Sequence, residues 1–163
     1  MPGAGSDGDS RALPGYRSWR WLWKSQRVVV HDESMSPTLE PGDRLLVDDR
    51  VYREHAPRAG EIVVLIDPQE PGRWLIKRVA GVGPTRVWRT PSGIIEASVV
   101  HDGATEPPAE AVEAIDVPSA FIYVTGDALE SSRDSRQFGA VPLRNLIGRA
   151  FRCYSPRGRR RDL

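Results

Sequence analysis

Two residues in this sequence carry usable chemistry by type and surroundings: Ser34 and Lys77. Ser34 lies in Asp32-Glu33-Ser34-Met35-Ser36-Pro37-Thr38-Leu39, between a strand-like run and the turn signal Pro41-Gly42-Asp43, a setting that exposes a serine at a strand end. A serine hydroxyl is a weak nucleophile until a base takes its proton. The usual base is a histidine backed by aspartate. Here His31 is three residues before Ser34 and points to the opposite face of an extended strand, while His55 and His101 sit in polar stretches with no ordering acid beside them. Lysine is the better candidate, because the chain has only Lys24 and Lys77 against many arginines. Lys77 falls inside the apolar run Trp74-Leu75-Ile76-Lys77-Arg78-Val79-Ala80. Burial disfavours the charged amine and brings it down from a reference pKa of about 10.4 toward neutrality. A neutral amine can accept a serine proton, whereas an arginine stays protonated. The competing reading is a lysine snorkelling from an edge strand to water.

The elements that must hold these residues are mostly strands. The length of 163 residues is that of one domain with tails, and 39% hydrophobic with 28% charged residues is a globular composition. The net charge of +1 gives no overall pull toward nucleic acid, so no specific nucleic-acid partner is expected. Fifteen Gly and 14 Pro among short β-branched runs favour strands joined by turns. Strands are expected over residues 28–31, 44–47, 61–66, 74–79, 120–125 and 149–154, with a hairpin formed by 86–90 and 93–100. Residues 101–118, rich in Ala, Glu and Pro, read as a surface insertion, and 126–139 as a polar loop. Cys153 is alone, so no internal disulfide and no Cys/His zinc site can form, and no metal or organic cofactor is expected.

The ends differ from the middle. Residues 1–15 read as a disordered tail, 16–27 as a basic Trp-rich amphipathic segment, 28–154 as the folded domain and 155–163 as a basic tail containing Arg157 to Arg161. The segment from Tyr16 to Arg27 packs three of the five tryptophans into five residues among Arg17, Arg20, Lys24 and Arg27. That composition suits peripheral contact with an anionic membrane, or docking of an amphipathic helix on its own domain. The longest apolar runs are five residues, against roughly 18–20 for a membrane span, so neither a transmembrane helix nor a cleavable signal peptide is expected.

Three segments together resemble the type I signal peptidase family. Ser34-Met35-Ser36-Pro37-Thr38 is similar to its S-M-x-P-T box, Ile76-Lys77-Arg78-Val79 to its K-R-V box, and the stretch from Gly126-Asp127-Ala128 through Ser132-Arg133-Asp134-Ser135-Arg136 to Gly139 to its G-D-N-x-x-x-S-x-D-S-R-x-x-G box. The resemblance implies a mainly β, signal peptidase/LexA-like fold of short strands and hairpins with little helix. It implies Ser34 as nucleophile and Lys77 as general base, with Ser132 hydrogen-bonding and orienting the lysine. Asp134 and Arg136 would brace the loop against the strand bearing Lys77, and Arg78 would pair with Asp127. Met35 would help floor the substrate cleft and Pro37 stiffen its turn, though both residues also read as plain packing. Three departures stand out: Asp32 where the family usually has Ser or Gly, Ala128 where it has Asn, and, the largest, the expected lack of a transmembrane anchor.

The function expected is that of a serine endopeptidase cleaving signal or pro-segments of precursor proteins after small residues, without a transmembrane anchor. Two other readings remain open. One is a soluble maturation protease for a dedicated partner, like those trimming the N-terminus of nickel superoxide dismutase. The other is a non-catalytic module binding membrane or nucleic acid through its basic ends. No helix-turn-helix precedes residue 28, which disfavours a self-cleaving repressor.

Overall fold

Short β-branched runs broken by Pro and Gly become antiparallel strands. The computed structural model describes residues 25–91, 95–97 and 109–163. The tail 1–15 and residues 16–24 of the Trp-rich segment therefore lie outside the described residues. The strands are β1 (Gln26–Val29), β2 (Arg44–Asp48), β3 (Ile62–Ile66), β4 (Trp74–Val82), β5 (Thr85–Arg89), β6 (Ile95–Ala97), β7 (Glu113–Val117), β8 (Phe121–Thr125), β9 (Val141–Pro142), β10 (Leu146–Ser155) and β11 (Arg161–Asp162). Two single-turn helices, α1 (Val51–Glu54) and α2 (Ser135–Phe138), interrupt them. The architecture is mainly β, as expected.

Eight strands form one sheet in the order β1-β2-β10-β3-β4-β8-β9, with β11 paired to β10, and β6-β5-β7 form a second, smaller sheet. Strand β3 is the divide between two cores. Its residues Ile62, Val63, Val64 and Leu65 are all buried, so the strand is covered on both faces. The period-2 alternation of a strand then sorts them. Ile62 and Val64 join Val30, Met35, Leu39, Leu45, Val47, Ala150 and Cys153 on one side. Val63 and Leu65 join Leu75, Val79, Ile122, Val124 and Val141 on the other. Lys77 pairs directly with Val63, and therefore projects on the side of this second core.

The structure corrects two expectations. Within the region read as a surface insertion, Glu113–Val117 is a strand that pairs with β5 along its whole length. Its charges had the look of a loop, yet Asp116 and Glu113 lie directly opposite Arg86 and Arg89 and form ion pairs with them, while Val117 packs inward on Val87. Residues 101–108 lie outside the described residues. The second correction concerns the basic C-terminal segment, which does not hang free. Arg161 and Asp162 pair with Cys153 and Arg152 of β10, and Arg159 reaches back to Asp43 with Nε 2.9 Å from Oδ1 and 3.1 Å from Oδ2. Arginine scattered along a short segment signals a solvated tail by composition; here one member serves a buried carboxylate.

Asp43 is 1% exposed and also accepts the Glu40 N–H, so its carboxylate closes the loop between β1 and β2. Asp43→Ala is expected to cost about 1–3 kcal/mol in urea unfolding, because the Glu40 N–H and the Arg159 guanidinium lose their shared acceptor. Arg159→Ala is expected to lower the urea midpoint as well, while Arg157→Ala, with an exposed side chain, leaves it within error.

Candidate active site

The loop carrying Ser34 is a plugged hairpin connection. Val30 donates its N–H to the Asp43 carbonyl at 2.9 Å and Gly42 donates to the Val30 carbonyl at 2.8 Å, which closes the neck. Within it, Ser36 N–H bonds the Glu33 carbonyl and Leu39 N–H bonds the Met35 carbonyl, making one tight turn. Met35 and Leu39, 1% and 0% exposed, drop into the first core and pin that turn to the sheet. Met35 therefore supports Ser34 from beneath by packing and presents almost no surface to a ligand. Pro37 is exposed, at the tip, with its carbonyl near Arg159 Nη2. Ser34 itself is buried, and its N–H donates to Asp32 Oδ1 at 3.0 Å across a two-residue turn.

Lys77 comes to this turn from the middle of β4. It is 1% exposed, and its Nζ donates to Ser34 Oγ at 2.6 Å. The snorkelling alternative is thus not what the fold adopts. Burial is the largest influence on the amine and pushes its pKa down. Asp32 and Asp134 pull it back up, while Arg73 and Arg136 push it further down, and the net displacement is below the ordinary lysine value. An amine so placed exists as the free base at lower pH than an exposed lysine, and sits within direct reach of the Ser34 proton.

The loop 126–139 holds the pair from the far side, with Asp134 at its centre. That carboxylate is 0% exposed and accepts from five donors: Gly126 N–H (2.8 Å) and Ser132 Oγ (2.7 Å), and from Arg136 its N–H (3.1 Å), Nε (2.8 Å) and Nη2 (2.7 Å). Burial alone would raise its pKa, but the hydrogen bonds from Arg136, Gly126 and Ser132 outweigh it and keep it below the usual carboxylate range. Ser132, expected to bond Lys77, gives its hydroxyl to Asp134 instead, since a charged carboxylate is the stronger acceptor. Gly126 is required by close approach: a Cβ there would stand 2.0 Å from Ser132 Oγ and 2.4 Å from the Ser34 carbonyl oxygen. The loop also touches Ser34 directly through the Ala128 N–H, which donates to the Ser34 carbonyl at 3.1 Å. A backbone bond makes that link, and the missing Asn side chain at this position does not disturb it.

Arg78, next to Lys77 but on the other face of β4, forms a bidentate pair with Asp127 at 2.8 and 2.6 Å. Nη1 of the same guanidinium donates to the Gly60 carbonyl at 2.9 Å. The sequence motifs are therefore brought together: Ser34, Lys77, Ser132 and Asp134 form one buried cluster with Arg136 at its partly exposed rim, and Arg78 with Asp127 ties its strand to its loop. Sequence reasoning missed two supports. Ser135 Oγ accepts the Val124 N–H at 2.9 Å, anchoring α2 to β8. Arg133 Nη1 lies 2.5 Å from Oδ2 of Asp67, a carboxylate with 0% exposure that also caps the turn N–H groups of Gln69 and Glu70. Nothing local in the sequence pointed Arg133 to a partner 66 residues away.

Known proteins share this sequence pattern. A family model described as "Signal peptidase, peptidase S26" matches residues 19–155. A probable signal peptidase I-1 from Synechocystis sp. is 33% identical over 140 residues, covering 80% of this chain and 71% of that protein. The signal peptidase I of Leptolyngbya laminosa is 33% identical over 143 residues, covering 82% and 70%. A mitochondrial ATP-independent inner membrane protease subunit 1b from Arabidopsis thaliana is 32% identical over 138 residues, covering 80% and 74%. With a family model over most of its length and relatives above 30% identity across most of both sequences, this chain belongs to the signal peptidase family, peptidase S26.

Proposed function

We propose that this chain is a serine endopeptidase of the signal peptidase I kind, removing signal or pro-segments from precursor proteins after small residues, with Ser34 as nucleophile and Lys77 as general base. The observation that carries the assignment is the 2.6 Å contact between Lys77 Nζ and Ser34 Oγ, both buried, with the amine's pKa pushed down by its surroundings. Neutral Lys77 takes the Ser34 proton as Oγ attacks the scissile carbonyl. The resulting ammonium gives that proton to the departing amine, leaving an ester on Ser34. Lys77, neutral again, then takes a proton from water as its oxygen attacks the ester, and returns that proton to Ser34 Oγ as the acyl–oxygen bond breaks, releasing the acid product and restoring both residues.

The supporting roles follow from contacts. Asp134, fixed by Arg136 and Ser132, supplies a nearby negative charge that keeps the lysine from losing its proton too readily, and it holds the loop against Ser34. The precursor adds as an extended strand, with shallow pockets for small residues at alternate positions. Among the described residues β1 is an edge strand of the larger sheet, and the chain runs from it straight into the Ser34 turn, so an added strand there is directed at the nucleophile. No helix among the described residues is long and apolar enough to cross a membrane. We assign membrane contact to the basic Trp-rich residues 16–27, on composition.

Ser34→Ala and Lys77→Ala, made separately, are each expected to lower kcat on a peptide with an Ala-x-Ala site by about 1,000-fold or more while far-UV circular dichroism is unchanged. Retained activity in either folded variant ends the dyad assignment. In the wild type, kcat/KM should rise with pH along a limb centred below about 10.4, because the base form of Lys77 is the active one. The same depressed pKa means the unfolded chain binds this proton more tightly, so the cost to stability is full below the folded-state pKa and vanishes above the unfolded one. Lys77→Met should therefore have a higher urea midpoint than wild type at pH 7, with the gap closing toward about pH 10.4. For the membrane assignment, flotation with anionic liposomes should retain the full chain and lose a variant lacking residues 1–24; equal flotation of both would remove the assignment.

A further inference from the structure

Attack by a serine on a carbonyl converts the carbonyl oxygen to an oxyanion, and the nucleophile's own backbone N–H is among the donors placed to receive it. In this chain that donor is already engaged. The Ser34 N–H points at Asp32 Oδ1, 3.0 Å away, while Ser34 Oγ is engaged by Lys77. The Asp32 side chain is exposed, so rotation about its own bonds removes it from the N–H without moving the loop neck. Burial would raise its pKa, but the hydrogen bonds from Ser34, together with the charges of Lys77 and Arg73, keep it below the ordinary carboxylate value, and it stays anionic where the lysine works. An anionic carboxylate thus occupies, in the resting enzyme, the direction from which a second negative charge must be stabilised.

We propose that Asp32 is a built-in competitor for the oxyanion donor, capping the Ser34 N–H in the resting enzyme and having to rotate away before the substrate carbonyl can use it. The inference rests on the Ser34–Lys77 reading and adds a gate to it. Asp32 acts through Ser34 and is a positioning residue. Its charge also reaches the base. The charged groups that bear on Lys77 are Asp32 in the Ser34 loop, Asp127, Asp134 and Arg136 in the 126–139 loop, and Arg73 just before β4. Asp32 is the foremost of these in holding a proton on the lysine. Removing it should free the N–H and let Lys77 lose its proton at lower pH.

The test uses the full chain and a short Ala-x-Ala peptide, with kcat and KM measured across pH for wild type, Asp32→Ala and Ser34→Ala. Asp32→Ala is expected to raise kcat about 10-fold or more, a fraction of the roughly 100–1,000-fold that one oxyanion donor is worth, with KM little changed. Its limb in the pH profile should also move to lower pH, a change that a merely structural role for Asp32 would not produce. Asp32→Gly carries the same expectation if the alanine variant does not fold. A kcat equal to or below wild type in a folded variant overturns the gate, because Asp32 would then be a support of the Ser34 turn. Activity in Ser34→Ala would instead sink the dyad, so the two failures are distinguishable.

Discussion

A lysine amine sealed from water against a serine hydroxyl is the arrangement on which the rest of this structure depends. Burying an ammonium is costly, and the fold neither leaves the charge unopposed nor neutralises it fully. Asp32 and Asp134 oppose the effect of burial, and Arg73 and Arg136 limit that opposition, leaving an amine with a depressed pKa. Asp134 would itself be an unacceptable buried charge without its five donors, two of them side-chain nitrogens of Arg136. The hierarchy runs outward from the lysine, with each buried charge stabilised by the next and the last of them, Arg136, reaching the edge of solvent.

The sheet supplies the rigidity for this balance. Lys77 is held in register by pairing with Val63, on a strand covered from both sides, so its direction cannot drift without moving two cores. Ser34 is less rigidly built. Its turn depends on Met35 and Leu39 as anchors below, the Asp43 carboxylate at the neck and the Ala128 N–H from the opposing loop. Such a division suits a site in which one partner must be desolvated permanently and the other must accommodate an incoming chain.

Much of the site was legible because its information is local. The Ser34 turn, the strand around Lys77 and the Ser132 to Arg136 loop each carry their residue types within a few positions, and the Arg78–Asp127 pair followed from matching motifs. What escaped reading depends on register or distance. Glu113 and Asp116 looked like loop charges until β5 placed arginines opposite them. Arg159 looked like part of a solvated tail, although its partner lies 116 residues earlier. The direction of Ser132's hydroxyl was not readable either, because serine bonds whichever acceptor is strongest nearby, and only the folded loop brings Asp134 into that place.

Strand β10, the longest among the described residues, sits in the interior of the sheet between β2 and β3. The Ser34 loop leads into β2, and the lysine strand β4 is attached to β3, so the two halves of the candidate site are joined through β10. Non-local pairing of this kind is slow and strongly cooperative. During translation, the serine and lysine segments leave the ribosome long before the strand that registers them against each other. A growing chain of this protein thus carries its serine and lysine segments unregistered against each other until residues 146–155 have joined them.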